Sequence, residues 1–243
     1  MIHKLDNIPI NTTLESALKK LSIEEPEDAE LISGLFQTAK EIARPKVLYR
    51  EAFVEGIDGP RVRVGNVEFQ SAVLAMNLKN IHRVFAYVCT CGAEVDDWSH
   101  TERDYVVSLW LDMIKEMFLH EAVAYFREHL KNAFQIEKLS AINPGSGNKD
   151  NWPISQQKEL FSLIGGVKEA IGVTLTESCL MVPVKSTSGL FFPSEKEYVN
   201  CSLCNRENCA GRRAEFDPAL YEKAFMSGAP DLSVELYQNS REQ

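Results

Sequence analysis

The 243-residue chain has no apolar run near the roughly 20 residues that a membrane-spanning helix needs, and its opening, MIHKLDNIPINTTLES, lacks the basic-then-apolar pattern of a secretory signal. A cytoplasmic protein away from membranes is expected. Basic residues are scarce: 26 Lys and Arg against 35 Asp and Glu leave a formal charge of -9, so there is no broad cationic surface to release phosphate counterions, and a nucleic-acid partner is not expected. The five histidines make no pair at HExxH spacing, and neither a Gly-x-Ser-x-Gly elbow nor a Walker lysine occurs. Hydrolase and nucleoside-triphosphatase readings are therefore unsupported. Gly145-x-Gly147 lacks the third glycine and preceding strand of a dinucleotide fingerprint.

What is present is an ordinary globular composition, 44% hydrophobic and 25% charged, with no internal repeat and no linker long enough to force a domain cut. A single domain spanning 1–243 is expected, with a helical N-terminal extension over 1–45 and a Cys-rich segment over 200–213. Asn11, Thr12 and Thr13 can cap a helix starting near Leu14, and Pro26 with Asp28 can start a second that Pro45 stops. Lys46 to Val54 and Val62 to Phe69 read as a hairpin, Ser71 to Leu78 as a short helix, and Arg83 to Thr90 as a strand. Ser155 to Ala170 and Pro218 to Phe225 read as helices, and Val173 to Val184 and Ser188 to Phe192 as strands.

The strongest periodic segment runs from about Thr101 to Phe134 without Gly or Pro and predicts one long helix. On a wheel, Trp110, Met113, Ile114, Met117, Phe118, Ala124 and Tyr125 share an arc with Glu121 near its middle. A carboxylate there must be desolvated, paired, or aimed at a cavity with something cationic in it, because leaving it bare costs several kcal/mol. The helix is followed by a loop rich in Gly, Pro and Asn, Asn143 to Pro153, of the length that is usually functional or mobile.

Cys201-x2-Cys204-x4-Cys209 is the most specific local pattern. Two thiolates three residues apart can chelate one ion with the third in reach, which makes a metal or iron-sulfur site one reading and a cysteine-rich surface loop the other. Cys89 and Cys91 read as a packed pair before a glycine turn or as a redox pair, and Cys179 as a small hydrophobe.

Three ordered segments carry a resemblance: RPKVLYR over 44–50, AYVCTCGAEV over 86–95 and LTESCLMVPVKSTSG over 175–189. Together they resemble the activation domain of cobalamin-dependent methionine synthase, and most closely its stand-alone bacterial relatives, from the helical opening to Arg213. The resemblance implies an α+β fold, helmet- or C-shaped, with a twisted antiparallel sheet and a long central helix. It also implies reactivation of an oxidised corrinoid in methionine biosynthesis. In that family cob(II)alamin is reduced by one electron from a flavodoxin- or ferredoxin-like donor and trapped by a methyl group from S-adenosylmethionine. The implied partner is a corrinoid-binding protein or methionine synthase core, since this chain has no Asp-x-His-x-x-Gly motif to hold cobalamin itself.

Carried onto this sequence, the resemblance assigns Glu121 to the cofactor's ammonium group, places Tyr198 in the cofactor pocket, and sets Pro144 and Gly145 in the family's cofactor loop. The arginine of that loop is missing here. The segment Cys201, Cys204 and Cys209 is an addition relative to the synthase domain. It keeps two alternatives open: a metal or iron-sulfur module that reduces a corrinoid partner without methyl transfer, and a docking protein whose tail is folded by zinc.

Overall fold

The computed structural model describes residues 1–147, 151–194, 200–209, 212 and 214–225. Among these, one antiparallel sheet organises the chain. Its strands are β1 (Ile2–Leu5), β2 (Lys46–Asp58), β3 (Arg61–Val64), β4 (Val67–Gln70), β5 (Arg83–Thr90), β6 (Leu139–Ile142) and β9 (Ser186–Pro193). The order is β4-β3-β2-β5-β9-β6, with β1 paired to the first part of β2. Two further strands, β7 (Thr174–Leu175) and β8 (Met181–Val182), make a small separate hairpin.

Both faces of the sheet are covered, which is why β5 reads as an unbroken apolar run. Alternate residues go to opposite cores. Phe85, Tyr87 and Cys89 join Val47, Tyr49 and Phe191 under α1 (Leu14–Leu21), α2 (Pro26–Ile42) and α5 (Tyr105–Phe134). Val84, Ala86 and Val88 join Leu48, Leu190 and Phe192 under α3 (Ala72–Leu78), α6 (Gln157–Ile164) and α7 (Val167–Ile171). Leu203 and Ala224, the latter on α8 (Pro218–Phe225), close the second core, and α4 (Ala93–Ser99) packs against α5. The expected α+β class, curled antiparallel sheet and long central helix are all present.

Several boundaries differ from expectation for local reasons. The helical opening also carries β1, four residues too short to show a pattern, held by the edge of β2. The second arm of the hairpin is split into β3 and β4 by a turn at Gly65 and Asn66. The helix expected to run to Ala170 breaks at Gly165 and Gly166, whose φ angles of 73° and 64° are left-handed, into α6 and α7. Val173 to Val184 is the tight β7-β8 hairpin rather than one strand.

Helix α5 begins at Tyr105, where Asp104 accepts from the N–H groups of Val106 and Val107, and ends at Phe134. Its buried line is Val107, Leu111, Ile114, Phe118, Ala122, Phe126 and Leu130. The wheel arc is thus rotated from the expected one: Ala124 is exposed and Tyr125 is 41% exposed. The helix packs on the sheet and also against α1, α2 and α4, so apolar residues surround much of it and hydropathy alone misplaces the centre.

Candidate cofactor site

The expected loop leaves β6 at Asn143 and crosses directly over β9. Asn143 Nδ2 donates to Tyr87 Oη at 2.8 Å and to the Ser188 carbonyl at 2.7 Å, fixing the crossing from both sides. The crossing is so close that a Cβ on Gly189 would lie 2.5 Å from Asn143 Nδ2 and 2.5 Å from the Ile142 carbonyl oxygen. The Ser188-Gly189 pair of the sequence signature therefore has a mechanical reason. Burial pushes the Tyr87 hydroxyl up to about 12, against smaller opposing effects from the Asn143 and Thr187 hydrogen bonds and the Arg127 guanidinium. Tyr87 stays a neutral phenol near pH 7 and serves as an acceptor for Asn143.

Beyond Pro144 the chain turns at Gly145, whose φ is 75° and whose absent side chain would meet Ile154 at 2.7 Å. The Gly145 N–H donates to the Trp152 carbonyl at 2.7 Å, and the Ser146 N–H returns to Asn143 O at 3.2 Å. Trp152 is fully buried, set edge-on against Phe69, and its Nε1 donates to Gln156 Oε1. Gln156 also clasps the backbone of Gln70 through both atoms of its amide. Gln157 Nε2 donates to Ser188 Oγ at 2.9 Å, tying the start of α6 to the same point on β9 that Asn143 grips.

The LTES stretch lies alongside. Thr176 N–H bonds to Leu180 O and Leu180 N–H returns to Thr176 Oγ1, so threonine at that position closes the β7-β8 turn. Cys179 sits at φ 64° with its thiol over the Ser155 carbonyl. The structure thus gathers Pro144, Gly145, Trp152, Ser155, Cys179 and the Ser188-Gly189 step around one crossing.

Glu121 stands elsewhere. Its Oε2 accepts from the Asn11 N–H and its Oε1 from Thr12 Oγ1, both at 2.6 Å, while Lys40 Nζ reaches the Thr12 carbonyl at 3.0 Å. The carboxylate is half-buried and paired, which meets the physical requirement stated for it, but its partners are the N-terminal segment. Tyr198 lies outside the described residues.

Cys201, Cys204 and Cys209 are half-buried and outside any disulfide. Their loop wraps the Arg212 side chain, whose guanidinium donates to the carbonyls of Cys204, Arg206 and Ala214. Among the described residues no group of three or more His, Cys, Asp or Glu side chains stands in metal-holding geometry. Cys89, in β5, and Cys91, just past its end, are buried, and burial, then the neighbouring Cys91 for one and Asp96 for the other, pushes both thiols up, Cys91 to about 12. They are packing groups near neutral pH.

One feature escaped the sequence reading. Lys115, 3% exposed on α5, donates to Asp96 Oδ1 and to Ser99 Oγ at 2.8 Å each and pairs with Asp112. Burial would lower its pKa, but the bonds to Asp96 and Asp112 outweigh it and hold the ammonium above its ordinary value. A lysine inside an apolar stripe was the available signal.

A curled antiparallel sheet under one long helix, with a loop locked across a Ser-Gly step, is the arrangement that the comparisons with known proteins meet. Residues 106–214 match the family model described as vitamin B12 dependent methionine synthase, activation domain. The match runs from the first turn of α5 past the cysteine segment. A solved structure described as the crystal structure of the MetH reactivation domain bound to AdoHcy shares the fold, with a TM-score of 0.55 at 14% identity, covering 82% of this chain and 81% of that one. No curated protein matches.

Proposed function

We propose that this chain is a stand-alone corrinoid reactivation protein, which supports reductive methylation of cob(II)alamin on a partner corrinoid protein with S-adenosylmethionine as methyl donor. The observation that carries the reading is the locked crossing of Asn143-Pro144-Gly145 over Ser188-Gly189, which lies within the family-matched residues. The related structure, whose description names bound AdoHcy, is of the demethylated product of such a donor.

In this reading one electron from a flavodoxin- or ferredoxin-like donor converts cob(II)alamin to cob(I)alamin. The reduced cobalt attacks the sulfonium methyl carbon, the cobalt–carbon bond forms as the carbon–sulfur bond breaks, and the sulfur leaves with the bonding pair. The chain's contribution is placement, which replaces a bimolecular encounter by an oriented one. The loop around Gly145 would hold the cofactor, and Glu121, once released by Asn11 and Thr12, would take its ammonium group. Tyr198, which the resemblance assigns to the same pocket, lies outside the described residues.

A second reading, a metal or iron-sulfur redox module that reduces the partner without methyl transfer, rests on three cysteines spaced Cys-x2-Cys-x4-Cys on one short segment folded round Arg212. One experiment separates the two. Anaerobic protein, cob(II)alamin and titanium(III) citrate are mixed with and without S-adenosylmethionine, and the methylcobalamin spectrum is followed. The proposal predicts methylcobalamin formation faster than without protein and only with the sulfonium. Iron-loaded protein that reduces cobalt without accelerating methylation supports the second reading instead.

A further inference from the structure

The segment that joins β1 to α1 passes the C-terminal end of α2 and encloses with it an open cavity of about 270 Å³. Asp6, Asn7, Ile8 and Ile10 line one wall, Lys40 and Arg44 the other. The cavity shares no residue with the crossing at Gly145. An ammonium carries three N–H donors and a guanidinium five, and here most of them are unused. Lys40 Nζ donates once, to the Thr12 carbonyl at 3.0 Å, and Arg44 donates through Nη1 alone, to the Glu41 and Ala43 carbonyls at 2.7 and 2.8 Å. Neither cation forms an ion pair with a carboxylate among the described residues. Asp6 is paired with Lys4 at 3.0 Å, and Glu94, whose carboxyl feels Arg44, is paired with Lys46 at 2.5 Å. The backbone N–H groups of Asn7, Ile8 and Ile10 bond to no other described residue, although Ile8 is only 6% exposed.

Lys40 and Arg44 also favour the negative end of the α2 dipole, and the bonds to Glu41 and Ala43 are of that kind. That role leaves Arg44 Nε and Nη2, two ammonium hydrogens of Lys40 and the backbone donors of the opposite wall unmatched around one space. The complement of such a wall is a group with acceptors only and negative charge, and a guanidinium fork fits two oxygens of one oxyanion side by side. We infer that this cavity binds a small doubly charged oxyanion of the phosphate class, gripped by Arg44 and Lys40 and capped by the N–H groups of the 7–10 segment. At about 30 Å³ per water, the space admits the anion together with an ester substituent or bridging waters. The chain as a whole carries a charge of -9, so these local bonds, not long-range attraction, hold the ligand. The site goes beyond the cofactor reading and does not depend on it.

The test is calorimetric titration of inorganic phosphate, and separately of glycerol 3-phosphate, into the full chain at constant ionic strength. Saturable binding of one equivalent of phosphate is expected. Lys40→Met and Arg44→Met should each weaken it at least about tenfold, the worth of one charge-assisted hydrogen bond. Lys79→Met, which removes the same charge from an exposed position away from the cavity, should bind as the native chain does. Tighter binding of the ester than of phosphate supports the site with an esterified ligand, and equal binding supports it with the free anion. Thermal midpoints separate binding from folding: phosphate should raise the native midpoint and leave both cavity variants where they start, whatever that starting value. Arg44→Lys keeps the charge and loses the fork, so it should fall between the native and Arg44→Met proteins. No saturable heat with either anion overturns the inference and leaves the cavity to water. Binding that survives in both cavity variants, or that Lys79→Met weakens equally, overturns it as well. In each case the cofactor reading is untouched, because neither Glu121 nor the crossing takes part.

Discussion

Gly189 and Asn143 are the residues on which the proposed site turns. A methyl group at 189 would overlap Asn143 and the Ile142 carbonyl, and overpacking of this kind costs about 1–3 kcal/mol. Gly189→Ala should therefore lower the urea midpoint and weaken S-adenosylmethionine binding together; a variant as stable as the native chain would show that the crossing is not tight. At the other face of the sheet's helical layer, Lys115 and Asp96 are both nearly inaccessible. Removing only one partner leaves a buried charge and costs about 3–5 kcal/mol, so Lys115→Met should be far less stable than the paired variant Lys115→Met with Asp96→Leu. Equal stability of the single and double variants in urea would contradict this. The thiols of Cys89 and Cys91 set a pH dependence. Their folded pKa values lie above the ordinary thiol value of about 8.5, so the unfolded chain releases protons that the folded chain keeps, and stability falls as pH rises beyond that value. Each contributes a loss of up to about 1.4 kcal/mol per pH unit in that window. Urea titrations at pH 8 and pH 10 should show the drop, and Cys89→Val should reduce it; a flat profile would mean that the thiols ionise freely in the native state.

At the scale of elements, helix α5 and strand β5 were legible in the sequence, while the layout around them was only partly so. An uninterrupted periodic stretch has one reading, and RVFAYVCT is apolar on both faces because it lies between two cores. The four-residue strands β1 and β6 had no pattern of their own; their partners in β2 and β9 create them. The loop at Pro144 and Gly145 was found from composition and resemblance, but the bonds that make it a site, from Asn143, Gln156 and Gln157, join residues far apart in the chain. Glu121 shows the limit from the other side. A carboxylate among apolar residues was rightly expected to be paired, yet the pairing residues, Asn11 and Thr12, sit about 110 positions away. That tie between the N-terminal segment and α5 gives a prediction of its own. If Glu121 serves the cofactor's ammonium, Glu121→Gln should weaken S-adenosylmethionine binding and Thr12→Val, which frees Oε1, should strengthen it. A Thr12→Val protein with weaker binding, or a Glu121→Gln protein with unchanged binding, would leave Glu121 as a tether of the N-terminal segment only.

The described residues form a sheet clad on both faces, with helices α1, α2, α4 and α5 on one side and α3, α6, α7 and α8 on the other, and the loop is tied to Tyr87 of the first core and through Trp152 to the second. The central claim is that the chain binds S-adenosylmethionine. The most direct measurement is calorimetric titration of S-adenosylmethionine into anaerobically purified protein, with iron and zinc quantified on the same sample. Saturable binding of one equivalent, independent of metal content, is the predicted result. No binding, in a sample that carries iron, would contradict the account and leave the redox module in its place.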